Sequence, residues 1–395
     1  MLKERRVLLI ALKLILTAGF LTLVLQISGK ILEATSWPVD DFVEYWSAAR
    51  LLLNGGNPYS PEQLMEVQSQ AGWLGPQPVM MWNPPFTLSL VLPFGWLDYY
   101  EARRLWLLLQ LSMLVCSVLI LLRAYGVQVD RFLWTWIFVL SFFPFLFVLR
   151  VGQISPLIAL GVAGFLLFEK KGRHEWAAVC VTATLVKPHL LYLFWIAFLV
   201  WVAKSRMWRV AAVVLLCLTS TTVAVWLVNP TVLQEYYSAV VTYPPLDFAT
   251  PTLGGILRAW VGSEVRWLQF LPALAGVIWL GWHLLKKLQH WNWQNEMPSL
   301  LLISLLTASY GSWTYDQVVL LPVLVHGICR MGAAHWSIPQ SLALVVFLSA
   351  NGLAFYLGRK ETNEVWYFWM VPSWCAIYWL SGRGVTSKVP DSREA

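Results

Sequence analysis

Two adjacent aspartates, Asp40 and Asp41, precede an apolar stretch, Phe42-Val43-Glu44-Tyr45-Trp46-Ser47-Ala48-Ala49-Arg50, which carries a third carboxylate at Glu44. A carboxylate within reach of a hydroxyl can take its proton as a general base. Three cations in equally apolar settings offer a counterpart: Arg150 in Arg150-Val151-Gly152-Gln153, Lys187 in Lys187-Pro188-His189, and Arg258 just after Gly254-Gly255. Such groups hold phosphate oxygens through charge-assisted hydrogen bonds. Simpler readings exist for each. Asp41 with Glu44 three residues on matches a capping box, and Arg150 near the end of an apolar run fits a snorkelling side chain. His189 alone fits a satisfied helix residue, and Asp316 fits a helix cap or a lysine partner. Lys187 beside a proline, with apolar residues on both sides, needs an anion.

The elements that would position these groups follow from composition. Of 395 residues, 58% are hydrophobic and only 12% charged, which points to a polytopic membrane protein rather than soluble domains. The 25 tryptophans and 14 tyrosines often flank the apolar runs, where amphipathic rings settle at headgroup level. Apolar length and charged breaks predict about twelve spans, near 7–28, 103–123, 132–149, 153–168, 175–186, 188–203, 209–228, 266–285, 298–310, 317–330, 339–357 and 364–381. Several are short, and those around Lys187-Pro188 and Asp316 suit broken or tilted helices covered by neighbours. The segment 7–28 follows Lys3, Arg5 and Arg6 and reads as a retained first helix. With both termini inside, the tight basic clusters fall on the cytoplasmic side and most acids on the other. Asp40, Asp41, Arg150, Lys187, Arg258 and Asp316 then share the extracytoplasmic face.

The chain is expected to form one integral-membrane domain over 1–395, with long outer loops at 29–102 and 229–265 and a cytoplasmic tail at 382–395. Within the first loop, a helix should start near Asp41, carry Phe42, Trp46, Ala49 and Leu53 on one face, and end at Gly55. The apolar run Phe86–Leu97 is too short to span and suits a re-entrant or interfacial segment. Five cysteines at unrelated spacings suggest neither disulfides nor a zinc site. No basic block points to nucleic acid. Metalloprotease, P-loop and serine-hydrolase motifs are missing, and no acidic cluster beyond Asp40, Asp41 and Glu44 suggests a divalent cation.

Outer-face carboxylates and cations around an apolar cavity suit transfer of a glycosyl group from a polyprenyl-phosphate sugar. The leaving phosphate is held by the cations, and one carboxylate is enough for an inverting displacement. The ordered motifs Asp41-Phe42-x-x-Tyr45-Trp46-x-Ala48-Ala49, Leu53-x-Gly55, Asn57-Pro58-Tyr59, Asn83-Pro84-Pro85-Phe86 and Pro93, then Gly152-Gln153, Lys187-Pro188 and Leu253-Gly254-Gly255, resemble glycosyltransferase family 87. The resemblance runs over roughly 35–330. It implies an all-α GT-C fold in the plasma membrane, a polyprenyl-phosphate donor, a mannosyl group, a lipid or glycan acceptor, and an aspartate of the first outer loop as base. By position in the motif that base is Asp41, with Asp40 as the alternative.

On this reading Lys187, Arg150, Arg258 and Gln153 hold the donor phosphate, and Glu44, Tyr45, Tyr59, His189 and Asp316 contact acceptor or substrate. No cofactor is required. Many relatives resemble Ser-Pro-x-x-Trp-Asp-His late in the chain, whereas this segment reads Gly311-Ser312-Trp313-Thr314-Tyr315-Asp316-Gln317. The expected histidine is missing, so Asp316 either substitutes in acceptor binding or the role is absent. The rival reading is a carrier or flippase for lipid-linked sugars. Such a protein would favour midplane polar groups and repeat symmetry, neither of which is visible here. A purely scaffolding role leaves Lys187 unexplained.

Overall fold

A computed structural model describes residues 38–127, 129–245, 248–331, 337–360 and 362–383. The predicted span 7–28 and the tail from 384 onward lie outside them. All regular elements among the described residues are helical.

The first described helix, α1 (Phe42–Leu53), begins where expected and ends at Asn54 and Gly55, whose φ of 73° suits glycine. It is buried on nearly every side rather than on one face. Its neighbours explain why. Helix α2 (Pro61–Gln70), capped by Ser60, packs along it. The segment Phe86–Trp96 folds as α3 (Phe86–Val91) and a 3-10 turn that lies against its C-terminal half. The approach is close enough that a Cβ on Gly95 would stand 2.7 Å from the carbonyl carbon of Ala49. Arg50 donates to the Gly95 carbonyl and Trp46 to that of Leu97. In the loop after α2, Gln68 accepts from Val79 N–H and donates to Val79 C=O, so one side chain fixes the strip that follows Pro76.

Helix α4 (Tyr99–Tyr125) is the longest among the described residues, at 27 residues. Helices α5 (Val129–Leu140) and α6 (Phe143–Val151) meet at a 50° bend where Ser141 and Phe142 leave the helix ahead of Pro144. Helix α7 (Ser155–Lys170) packs along α4. After α8 (His174–Thr182), two 3-10 turns flank Lys187 before α9 (Tyr192–Ser205). Then come α10 (Trp208–Val228), α11 (Val232–Thr242), α12 (Leu253–Val261), α13 (Leu271–Lys287) and α14 (Trp293–Thr307). A 3-10 turn at Asp316 leads into α15 (Leu321–Arg330), followed by α16 (Ile338–Gly358) and α17 (Met370–Ser381).

Five helical segments among the described residues are long and apolar enough to cross a membrane, or six if the bent pair counts as one span. They are Tyr99–Tyr125, Pro188–Ser205, Trp208–Val228, Arg266–His290 and Ile338–Gly358. Their outward sides carry exposed leucines such as Leu108, Leu216, Leu274 and Leu348, which suit lipid rather than water. Of the twelve expected spans, the first lies outside the described residues, and five others fold as helices of 9 to 16 residues, broken by turns such as those at Ala183, Asp316 and Glu364. Their ends are covered by neighbouring helices. Helix α7, at 16 residues, is almost wholly buried between α4 and α8. Hydropathy counts apolar residues but does not tell lipid from protein as the solvent around them.

Candidate active site

The carboxamide of Gln153 is the centre of the site. Helix α6 ends at Gly152, whose φ of 79° turns the chain, and a Cβ there would lie 2.7 Å from the Cβ of Phe42. The turn is held by Trp106, which donates to the Gly152 carbonyl, and by Arg103, which donates to the carbonyls of Leu149 and Arg150. Gln153 is thereby pressed against the start of α1. Its Nε2 donates to Asp41 Oδ2 at 2.9 Å and to Glu44 Oε1 at 3.1 Å. Its Oε1 accepts from Tyr45 Oη at 2.7 Å and from Lys187 Nζ at 2.8 Å. Both donors meet the oxygen and both acceptors meet the NH2, so only this amide orientation satisfies all four partners.

Lys187 sits between two short 3-10 turns, and its ammonium also pairs with Asp316 Oδ1 at 3.0 Å. Asp316 is fully buried; Ser155 donates to its Oδ1 and Trp313 N–H to its Oδ2. The Gly311-Ser312 step, with φ of 77° and 54°, turns the backbone that carries Trp313 and Asp316. The lysine therefore has its anion, and of the alternatives left open for Asp316 the one found is the lysine partner. Asn83 donates to the Val186 carbonyl, tying the Asn83-Pro84-Pro85 loop to the turn just before Lys187.

These groups line a cavity of about 540 Å³. Asp41, Glu44, Gln153, Lys187, His189 and Asp316 all face it, and Trp73, Trp82, Phe248, Tyr310 and Trp313 form much of its wall. A smaller cavity of about 250 Å³ holds Asp40 and Arg150, and Asp41, Tyr315 and Glu364 line both.

Two expected site residues lie elsewhere. Arg258 is buried in its own helical hairpin, bound to Gln269 Oε1 at 2.6 Å and to the Ser263 carbonyl, and does not line either cavity. Tyr59 is buried with its ring against Tyr236 and its hydroxyl donating to the Asn83 carbonyl, so it supports a cavity residue without facing the cavity. Tyr45 reaches the site through Gln153 and is itself fully buried. His189 lines the cavity beside the Tyr310 ring. The capping-box reading of Asp41 and Glu44 is corrected here: Asp41 stands at the N-cap but its side chain makes no capping bond, because Gln153 takes it. Asp40 accepts from the Asp41 N–H.

Burial sets the protonation of these acids. It pushes Asp40 up to about 7, helped by the Asp41 charge. Asp41 is raised mainly by burial, against the pull of the Gln153 hydrogen bond and Lys187. Glu44 rises to about 8, from burial and then Asp41. Glu364, on the 3-10 turn before α17, also rises to about 8 for the same two reasons. A carboxylate with a raised pKa is a stronger base once ionised, which is the property a proton acceptor for a hydroxyl requires. Among the described residues no three His, Cys, Asp or Glu side chains converge so as to hold a metal ion.

Glu364 was not singled out by sequence reasoning, and no local signal marks it. Asn83 carried a signal in its Asn-Pro-Pro motif without a role attached to it.

The sequence model of glycosyltransferase family 87 matches residues 82–309, more than half of the chain. The chain belongs to glycosyltransferase family 87. No curated protein and no solved structure matches it. The family match makes the chain a glycosyltransferase, which binds a sugar donor and an acceptor, and the apolar helices make it a membrane protein. The matched stretch contains Asn83, Gln153, Lys187 and His189. Asp41 and Glu44 lie before it, and Asp316 and Glu364 after it, so half of these cavity residues come from outside the matched stretch.

Proposed function

We propose that the protein is an inverting GT-C-type glycosyltransferase that moves a sugar, mannose by family resemblance, from a polyprenyl-phosphate donor to a hydroxyl acceptor on a lipid or glycan at the extracytoplasmic face of the plasma membrane. The observation that carries the reading is the Gln153 bridge: a single carboxamide links Asp41 to Lys187 on the wall of one cavity. Base and phosphate-binding cation are then about one sugar apart, within the reach that positional catalysis requires.

In the reaction, the acceptor hydroxyl oxygen bonds to the anomeric carbon while the bond from that carbon to the phosphate oxygen breaks. The phosphate leaves with the electron pair, its growing charge met by Lys187. The hydroxyl proton passes to Asp41, whose carboxylate is aimed by Gln153. Asp41 is favoured over Asp40 because it shares the larger cavity with Lys187, whereas Asp40 lines only the smaller one. Asp316 holds the ammonium in place.

Protein reconstituted with polyprenyl-phosphate mannose and membrane-lipid acceptors tests this. Asp41→Asn keeps the shape and can still accept from Gln153, so the rate constant should fall about 10²- to 10⁴-fold, the contribution of one general base. Asp40→Asn should retain much more. Unchanged transfer by Asp41→Asn would remove this residue from the mechanism. Movement of lipid-linked sugar across the bilayer with no new glycosidic bond would favour the carrier reading instead.

A further inference from the structure

The proposed reaction uses the larger cavity and leaves the smaller one without a task, although the two meet at Asp41, Tyr315 and Glu364. In an inverting displacement the attacking hydroxyl approaches the anomeric carbon on the face opposite the leaving group. The leaving phosphate is assigned to Lys187, which lines only the larger cavity. The hydroxyl then has to arrive beside Asp41 and away from Lys187, and the smaller cavity, which Asp41 lines and Lys187 does not, offers that space.

Its lining suits a polyhydroxylated group. Thr314 is 1% exposed, lines this cavity, and has no hydrogen-bond partner for its hydroxyl among the described residues. Arg150 lines it with a guanidinium that makes no hydrogen bond or ion pair with the described residues and is exposed. Asp40 and Glu364 add acceptors, and Thr362, whose hydroxyl donates to the Leu357 carbonyl, lines it together with Tyr315. A buried hydroxyl without a partner carries a desolvation cost that a ligand oxygen would relieve. The volume of about 250 Å³ is just below the range of about 300–1,000 Å³ typical of pockets for drug-sized ligands. It has room for about one sugar ring.

We infer that the cavity between Arg150 and Glu364 is the acceptor subsite, and that it takes a single sugar-like polyhydroxylated ring, with Thr314 and Arg150 binding its oxygens. This rests on the glycosyltransferase mechanism proposed above. The probes are dodecyl mannoside and dodecyl glucoside as acceptors, with a short-chain polyprenyl-phosphate mannose as donor, and KM is measured for each substrate separately. Thr314→Val removes an unpartnered hydroxyl while keeping the side-chain shape, and should raise the acceptor KM at least fivefold with donor KM within twofold. Thr362→Phe should obstruct the ring and raise the acceptor KM more than tenfold. Arg150→Ala, at an exposed side chain, keeps the test open if the bulky variant fails to fold.

Unchanged acceptor KM in Thr314→Val and Arg150→Ala, or a rise in donor KM instead, would overturn the assignment. So would wild-type protein that transfers to membrane lipids but to neither alkyl glycoside. Wild-type protein that transfers to nothing would instead remove the glycosyl-transfer reading on which the subsite rests.

Discussion

Replacing Gln153 with leucine separates positioning from simple scaffolding. The side chain keeps a similar volume but loses all four hydrogen bonds, those from Lys187 and Tyr45 and those to Asp41 and Glu44. Lys187 retains Asp316, so the phosphate-binding charge stays in place. The Gln153 hydrogen bond is what most lowers the Asp41 pKa against its burial, so its loss moves that pKa further up. The carboxylate form becomes scarcer at neutral pH, and activity falls there. A hydrogen bond to a charged group contributes about 1.5–3 kcal/mol, which corresponds to about a 10- to 150-fold loss of rate. Because the loss comes from protonation, it should shrink as pH rises, and the rising limb of the pH–rate profile should shift to higher pH. The assay is kcat for transfer from polyprenyl-phosphate mannose across pH 6 to 9, with melting temperature in detergent as a control for folding. A rate loss of the same size at every pH would refute the argument that Gln153 tunes Asp41, and leave it a packing residue.

Other perturbations have defined outcomes. Asp316→Asn leaves the Lys187 ammonium without its counter-ion in a nearly closed setting, and should cost about 3 kcal/mol of stability in a denaturant melt; an unchanged melt would mean that the pair is screened by water in the cavity. Gly152→Ala places a Cβ against Phe42 at a positive φ and should cost about 2 kcal/mol or more, read as lower melting temperature together with weakened transfer. Glu364→Gln addresses pH. Its folded-state pKa of about 8 lies above the usual 4.5, so the fold holds a proton that the unfolded chain has already released. Stability should therefore decline as pH rises through that window, and the neutral glutamine should make the decline of melting temperature between pH 5 and 9 shallower. An identical slope would show that Glu364 contributes no such linkage. Asp40 and Glu44 are raised in the same way, so the slope should diminish without vanishing.

The sequence by itself determined the class of molecule and much of the chemistry. Composition demands lipid, and Lys187 in an apolar run demands an anion. The order of motifs marks the family, and α1 was legible from its apolar spacing and Gly55, because helix signals are local. Lys187, Gln153, Asp41, Glu44, His189 and Asp316 were all named before any geometry and all meet at one cavity. What only the tertiary structure decided is who pairs with whom. Asp316 and Lys187 are joined across 129 residues, and Asp41 and Gln153 across 112. Glu364 enters from a turn whose local sequence resembles any span end. Arg258 and Arg150 look equivalent as sequence, yet one is consumed by Gln269 and the other opens on a second cavity. The lengths of the apolar helices were also hidden, since apolar length alone does not reveal where a turn breaks a run. Asp41 at the head of α1 shows the same division: its pattern predicted a cap, and packing against the Gly152 turn made it a partner of Gln153 instead.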